Sequence, residues 1–346
     1  MKICVLGAGW FGCYIANELI NKGYDTTVYE KEKDLFSGAS GNNQNRLHLG
    51  YHYPRSLITR ELSKKGFFIF KKKLKNFTKK VNKNFYALAT DKKNKINSET
   101  FISILKKGKL NYKKVNQKDK KNFQNLHCFI QCKEETILLD KAKKYYKKKL
   151  RKNILFNFCV KKIKKKFEKY IIENKEYDVV INCTSLNYNY KKHKINNLIY
   201  EHCAIMLYKS LEKNHPAITI MDGPYFTLYP WDSQNKYGLY SVKNSRVLSN
   251  KNFNTLKKNV KNKINNKYLR VLRNKIEKNF SYFYPNFKTK FKFIKYLRSY
   301  RTISKNKYDT RACAVYENKK FINVFPGKID HIFYAFNEIE RCLKKF

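Results

Sequence analysis

With 346 residues, 42% apolar and 16% aromatic, the chain can bury a sizeable core of one large unit or two to three domains, which excludes a mini-protein, a collagen-like repeat or a wholly disordered polymer. Its 76 Lys and Arg against 26 Asp and Glu give a formal charge of +50, yet the lysines recur with Asn, Tyr, Phe and Ile along the whole chain instead of forming one basic arm or reading module, so nucleic acid is not the expected partner. Nine cysteines fit neither a compact disulfide framework nor repeated metal ligands, and no apolar run is long enough to span a membrane, so a soluble cytoplasmic protein without metal or integral membrane association is expected.

Ile3 to Leu6 form an apolar strand that runs into Gly7, Gly9 and Gly12, after which Cys13, Ile15, Ala16, Leu19 and Ile20 recur at helical spacing. In such a strand, turn and helix, Gly7 permits the turn, Gly9 lets a pyrophosphate approach the backbone, and Gly12 lets the helix pack closely. Gly23 breaks the helix, Thr26 to Tyr29 resume a strand pattern, and Glu30 follows at the distance from the glycines where a carboxylate can accept bonds from a ribose. The coincidence of these features predicts a bound dinucleotide, against the alternative of a glycine-rich helix start with a solvated Glu30.

The next segment, Ser37 to Arg55, reads SGASGNNQNRLHLGYHYPR, and its small and polar residues predict turns. Here the chain resembles the glycine oxidase/D-amino-acid oxidase superfamily of FAD-dependent oxidoreductases, including its relatives that oxidise 2-hydroxy acids. The resemblance implies noncovalently held FAD, with the stretch from Ser37 to Asn45, including Ser40, beside the flavin and Arg46, His48 and Gly50 close to its pyrophosphate or isoalloxazine. Two later stretches carry it further. Tyr177 to Ser185 looks like the strand and turn that return to the cofactor domain, although many relatives have a glycine near Ser185. Asn323 to His331 looks like the strand entering a helix beside the flavin, at Gly327, Lys328 and Ile329, with Phe333, Phe336, Ile339 and Leu343 as the packed helix face.

Between these islands, Glu61 to Phe77 has a helical pattern, Asn84 to Thr90 an extended one, and Thr136 to Phe158 a helix and a short strand. The fold expected from the resemblance is α/β, a Rossmann-like FAD-binding domain (1–60, 130–195, 300–346) with a discontinuous, largely antiparallel α+β substrate domain (61–129, 196–299). Tyr225 and Tyr229, at alternating positions in a strand-like stretch, are candidates to orient a substrate, as are the planar donors of Arg55, Arg298, Arg301 and Arg311 for its anionic group. Of these, Arg301 falls where the resembled family has a late substrate-domain arginine. Packing is the competing use for the tyrosines, and surface ion pairing for the arginines.

His48 and His52 are candidates to bind substrate or exchange a proton; Gly50 and Pro54 oppose a helix that would align them on a metal, and the glutamate of a hydrolytic zinc motif is absent. His48 also occupies a family-like position for covalent flavin attachment. The function expected is oxidation of a C–N or C–OH bond of a small or sugar-like anionic substrate by hydride transfer to flavin, with the electron acceptor and oligomeric state open. Two alternatives remain at this stage. His48 to His52 loosely resembles the histidine loop of flavin-dependent sugar-nucleotide mutases, and the fold could instead support a noncatalytic flavoprotein or basic interaction protein.

Overall fold

The computed structural model describes residues 1–91, 93–185, 197–232, 235–306 and 310–346. The N-terminal segment builds strand β1 (Lys2–Leu6), helix α1 (Trp10–Asn21) and strand β2 (Asp25–Tyr29), with β1 and β2 parallel in the register Leu6 to Tyr29. On the other side of β1 lies Val179–Asn182, also parallel, and beyond it Phe321–Phe325. Ile154–Leu155 closes one edge of this six-stranded sheet, and Ala314–Asn318, the antiparallel member, closes the other. Near-continuous apolar runs form these central strands because helices or other layers cover both faces: Val179–Asn182 and Phe321–Phe325 are buried throughout.

Helix α1 buries Ile15, Ala16 and Leu19 in the core that also takes Phe333, Phe336, Ile339 and Leu343 from the C-terminal helix Ile332–Leu343. That helix shows the face expected from the sequence. Helix α2 (Leu57–Lys73), capped by the Ser56 hydroxyl, places Phe67 and Phe70 in the same core. The expected boundary after residue 60 therefore cuts a helix that packs on the parallel-sheet side. The expected junction at 195/196 lies outside the described residues.

A second sheet is antiparallel except where Ala217–Met221 runs parallel to Asn84–Ala89. Its longest pairing joins Leu198–Ser210 to Phe291–Ser304, and its outer face packs against the helix Asn266–Ser281 through Leu272, Ile276 and Phe280. A short strand β3 (Arg46–Leu47) pairs with Glu135–Ile137 and so holds the segment after Ser37 between the two sheets. Mixed α/β architecture with a parallel, Rossmann-like sheet beside a largely antiparallel one is thus what the chain forms. Among the described residues, no helix is long and apolar enough to cross a membrane.

Candidate active site

The turn between β1 and α1 is tight at each glycine for a different reason. Gly7 has φ +90°, and a Cβ there would stand 3.3 Å from the Cys183 carbonyl oxygen. A Cβ on Gly12 would fall 1.8 Å from the Gly7 oxygen, and one on Gly9 would come 2.8 Å from Ser40 Oγ. Gly9 is also the N-cap of α1 and offers no side chain to the helix's first amides, while Trp10 N donates to Ser40 Oγ at 2.9 Å. Glu30, at the end of β2, lies against this turn: its carboxylate accepts from Ala8 N at 2.6 Å and from Glu32 N at 3.0 Å. Ser185 holds φ +60°, a left-handed conformation that glycine adopts without strain.

From this turn a cleft of about 800 Å³ runs between the two sheets, within the range of small-molecule and cofactor sites. Its lining includes Gly7, Gly9 and Glu30, Ser40, His48 and His52, and Arg301, Arg311 and Lys328. The glycine turn, the helix N-terminus and the acid fit a dinucleotide: Gly9 brings no side chain of its own to the helix end, and Glu30 lines the cleft where a ribose would lie. These residues would hold the adenosine and pyrophosphate of FAD, and Gly327, Lys328 and Ile329 lie farther along the same cleft.

Arg46, Arg55, His48, His52, Arg301 and Arg311 all line the cleft, whereas Tyr225, Tyr229 and Arg298 do not. Tyr225 precedes its strand, donates its hydroxyl to Asp91 and packs its ring on Phe283. Tyr229 is fully buried with its ring 4.4 Å from the Arg46 guanidinium. Arg298 donates to His202 at 3.3 Å on the antiparallel sheet. The alternation that put the two tyrosines on related faces fails because only Tyr229 belongs to the strand Phe226–Pro230.

Arg46 lines the cleft but its donors are taken up beneath it. Nε donates to Glu134 Oε2 at 2.8 Å, one terminal nitrogen donates to Thr219 Oγ1 at 2.7 Å, and the other donates to Tyr86 and to Glu134. Glu134 was not among the residues singled out from the sequence. It lies 88 residues from Arg46, in the turn between two strands, amid many surface acids and lysines. Burial would raise its pKa, but the Arg46 charge and the bond from Leu49 N outweigh that and hold the carboxyl well below the usual range.

His48 and His52 stack at 5.5 Å between ring centroids, and each has a buried Nδ1 without a hydrogen-bond partner among the described residues. Burial, with Arg46 and Lys328 nearby, pushes His48 down to about 4 against the opposing pull of Glu134, and burial also holds His52 well below its ordinary value, so both rings are neutral at pH 7. Across the cleft Arg301 Nε donates to Glu201 at 2.7 Å and its terminal nitrogen to Tyr240 OH at 3.1 Å. Lys328 stands 5.2 Å from the Tyr53 ring; burial and the Arg311 and Arg301 charges hold its ammonium below the ordinary lysine value. Burial raises Asp330, two residues on, above the usual carboxylate range. Among the described residues no group of three or more His, Cys, Asp or Glu side chains could hold a metal ion.

The parallel sheet, its glycine turn and the cleft lined by buried histidines and arginines form a nucleotide-binding arrangement. Residues 2–114 match the family model described as FAD dependent oxidoreductase (DAO). The chain is 27% identical over 335 residues to the FAD-dependent monooxygenase FPY4 of Fusarium mangiferae, covering 97% of this chain and 89% of that protein. It is 23% identical over 370 residues to the FAD-dependent monooxygenase kojA of Aspergillus flavus, covering 98% and 85%. Among solved structures, glycine oxidase from Geobacillus kaustophilus superposes with TM-score 0.72 at 9% identity over 99% of this chain and 95% of that one. L-alpha-glycerophosphate oxidase from Mycoplasma pneumoniae, with FAD bound, gives 0.72 at 15% identity over 99% and 94%. The chain is thus similar, through residues 2–114, to the FAD-dependent oxidoreductase (DAO) family, and the relatives and solved structures it matches are FAD-dependent enzymes and amino-acid or glycerophosphate oxidases, which supports an enzyme.

Proposed function

We propose that the enzyme oxidises a C–OH or C–N bond of a small or sugar-like anionic substrate. The observation that carries this reading is that two neutral imidazoles and the Arg301 and Arg311 guanidiniums line one cleft with the glycine turn. Arg301, steadied by Glu201 and Tyr240, has a planar face suited to a carboxylate or phosphate, and Arg311 adds a second positive charge close enough to feel Arg301's. His48, neutral at pH 7, can take the proton of a substrate hydroxyl or ammonium group. Bound FAD supplies the acceptor for the hydride that leaves the substrate carbon.

Purified protein is expected to release FAD on acid denaturation, and 2-hydroxy acids, amino acids and sugar or polyol phosphates are then mixed with it without oxygen. Bleaching of the flavin near 450 nm by one class, with Arg301→Ala raising KM about tenfold or more at unchanged FAD content, is the expected result. Equal loss of FAD and substrate would remove the anchor role of Arg301. Turnover of a sugar nucleotide under reducing conditions without an acceptor would replace the reading with a mutase. Incorporation of one ¹⁸O atom from oxygen into product would replace it with a monooxygenase, the activity in the names of the fungal relatives.

A further inference from the structure

We propose that Glu134 is the positioning residue of His48: it selects the tautomer that carries the proton on Nδ1, and so leaves Nε2 as the proton acceptor. The inference rests on the reading of His48 as the group that takes the substrate proton, and adds how the protein prepares it.

The two oxygens of Glu134 have different tasks. Oε2 is crowded, accepting from Arg46 Nε at 2.8 Å, from Tyr86 OH at 3.0 Å and from Asn84 Nδ2 at 3.4 Å. Oε1 accepts from Leu49 N at 2.9 Å and lies 3.8 Å from His48 Nδ1. The Leu49 amide belongs to the peptide that follows His48, so this bond fixes the histidine backbone against the carboxylate. An ionised carboxylate only accepts, so the histidine atom turned toward it must be an N–H to gain anything from it. A ring movement of less than about 1 Å would bring the pair to hydrogen-bond length. A neutral imidazole carries one proton; placed on Nδ1, it makes Nε2 the basic nitrogen.

Among the described residues, Glu134 is the acidic group that acts on His48. The other charged or titratable groups facing His48 are Arg46, from β3, and Lys328, from the segment after Phe321–Phe325, with His52 and Tyr53 from its own loop and His331 beyond. Arg46 does for Glu134 what Glu134 does for His48. It keeps the carboxyl ionised in a place where burial alone would protonate it.

The test is the histidine tautomer in the FAD-loaded protein, read by long-range ¹H–¹⁵N correlation on histidine-labelled enzyme, with His48 assigned from its loss in His48→Gln. Wild type is expected to show the Nδ1–H form. A double variant, Arg46→Met with Glu134→Leu, removes both charges so that none is left buried alone. It is expected to keep FAD, lose the Nδ1–H preference, and show kcat down about 10- to 100-fold with KM changed less than threefold. An Nε2–H tautomer in wild type, or an Nδ1–H tautomer that survives in the double variant, overturns the inference. The wild-type spectrum decides even if the variant does not fold. If His48→Gln reduces its flavin at the wild-type rate, the proton-acceptor reading falls instead, and the tautomer result still reports on Glu134.

Discussion

Arg46 and Glu134 face each other where neither is reached by water, with side chains 3% and 0% exposed. Such a pair gains little over an apolar pair of the same shape, because desolvation offsets the attraction, but removing one member strands the other. Glu134→Ala alone is therefore expected to cost about 3–5 kcal/mol, whereas the double variant with both positions apolar should stay within about 2 kcal/mol of wild type. Urea unfolding of the three proteins checks this. Equal losses in the single and double variants would mean that packing around Tyr86 and Tyr229, and not charge, holds the site. This pair also marks how far the sequence could be read. Arg46 stands in a recognisable segment, but nothing local distinguishes Glu134 from Glu135, and only tertiary contact brings it to Arg46 and His48. Tyr225 and Tyr229 misled for a related reason, since alternation has meaning only inside a strand and Tyr225 lies one residue outside.

At the scale of elements, what was legible is what the chain builds from neighbours. Strand, glycine turn, helix, strand and Glu30 follow one another within 30 residues, and each needs only short-range geometry to be recognised. The C-terminal helix was legible for the same reason, its four apolar positions falling on one face. The second sheet was less so, because its long strands carry Tyr and Lys on faces that only pairing partners decide. Within the glycine turn, two substitutions should separate folding from cofactor binding. Gly12→Ala sets a Cβ against backbone that has no room to yield, so a loss of about 3 kcal/mol or more is expected. Gly9→Ala meets only the Ser40 hydroxyl, which can rotate, so its unfolding midpoint should move little while FAD content falls about tenfold. Thermal unfolding of the apoproteins and flavin absorbance per chain distinguish them. A Gly9→Ala protein that keeps its full flavin content would show that the pyrophosphate does not approach that backbone.

At the scale of the whole molecule, acid is the condition to which this fold is most exposed. Five of its seven histidines are held neutral by burial: His48, His202 and His215 down to about 4, His331 to about 3, and His52 well below its ordinary value. Each would be protonated in the unfolded chain below about pH 6.5, so the stability they share is present above that pH and is lost as pH falls toward 4. Asp330 acts with the opposite sign, since its raised pKa favours the fold at low pH and penalises it as pH rises, but it is one group against five. Unfolding at pH 5 should therefore take up a net of about four protons, and the urea midpoint should drop steadily between pH 7 and pH 5, above the range where ordinary carboxylates titrate. Self-repulsion from the +50 charge is a separate burden that salt screens. In 0.5 M NaCl the midpoint should rise at every pH while its decline toward pH 5 persists. A midpoint that is flat over this range would mean the buried histidines keep similar proton affinities after unfolding, and a decline abolished by salt would assign the acid sensitivity to long-range repulsion instead.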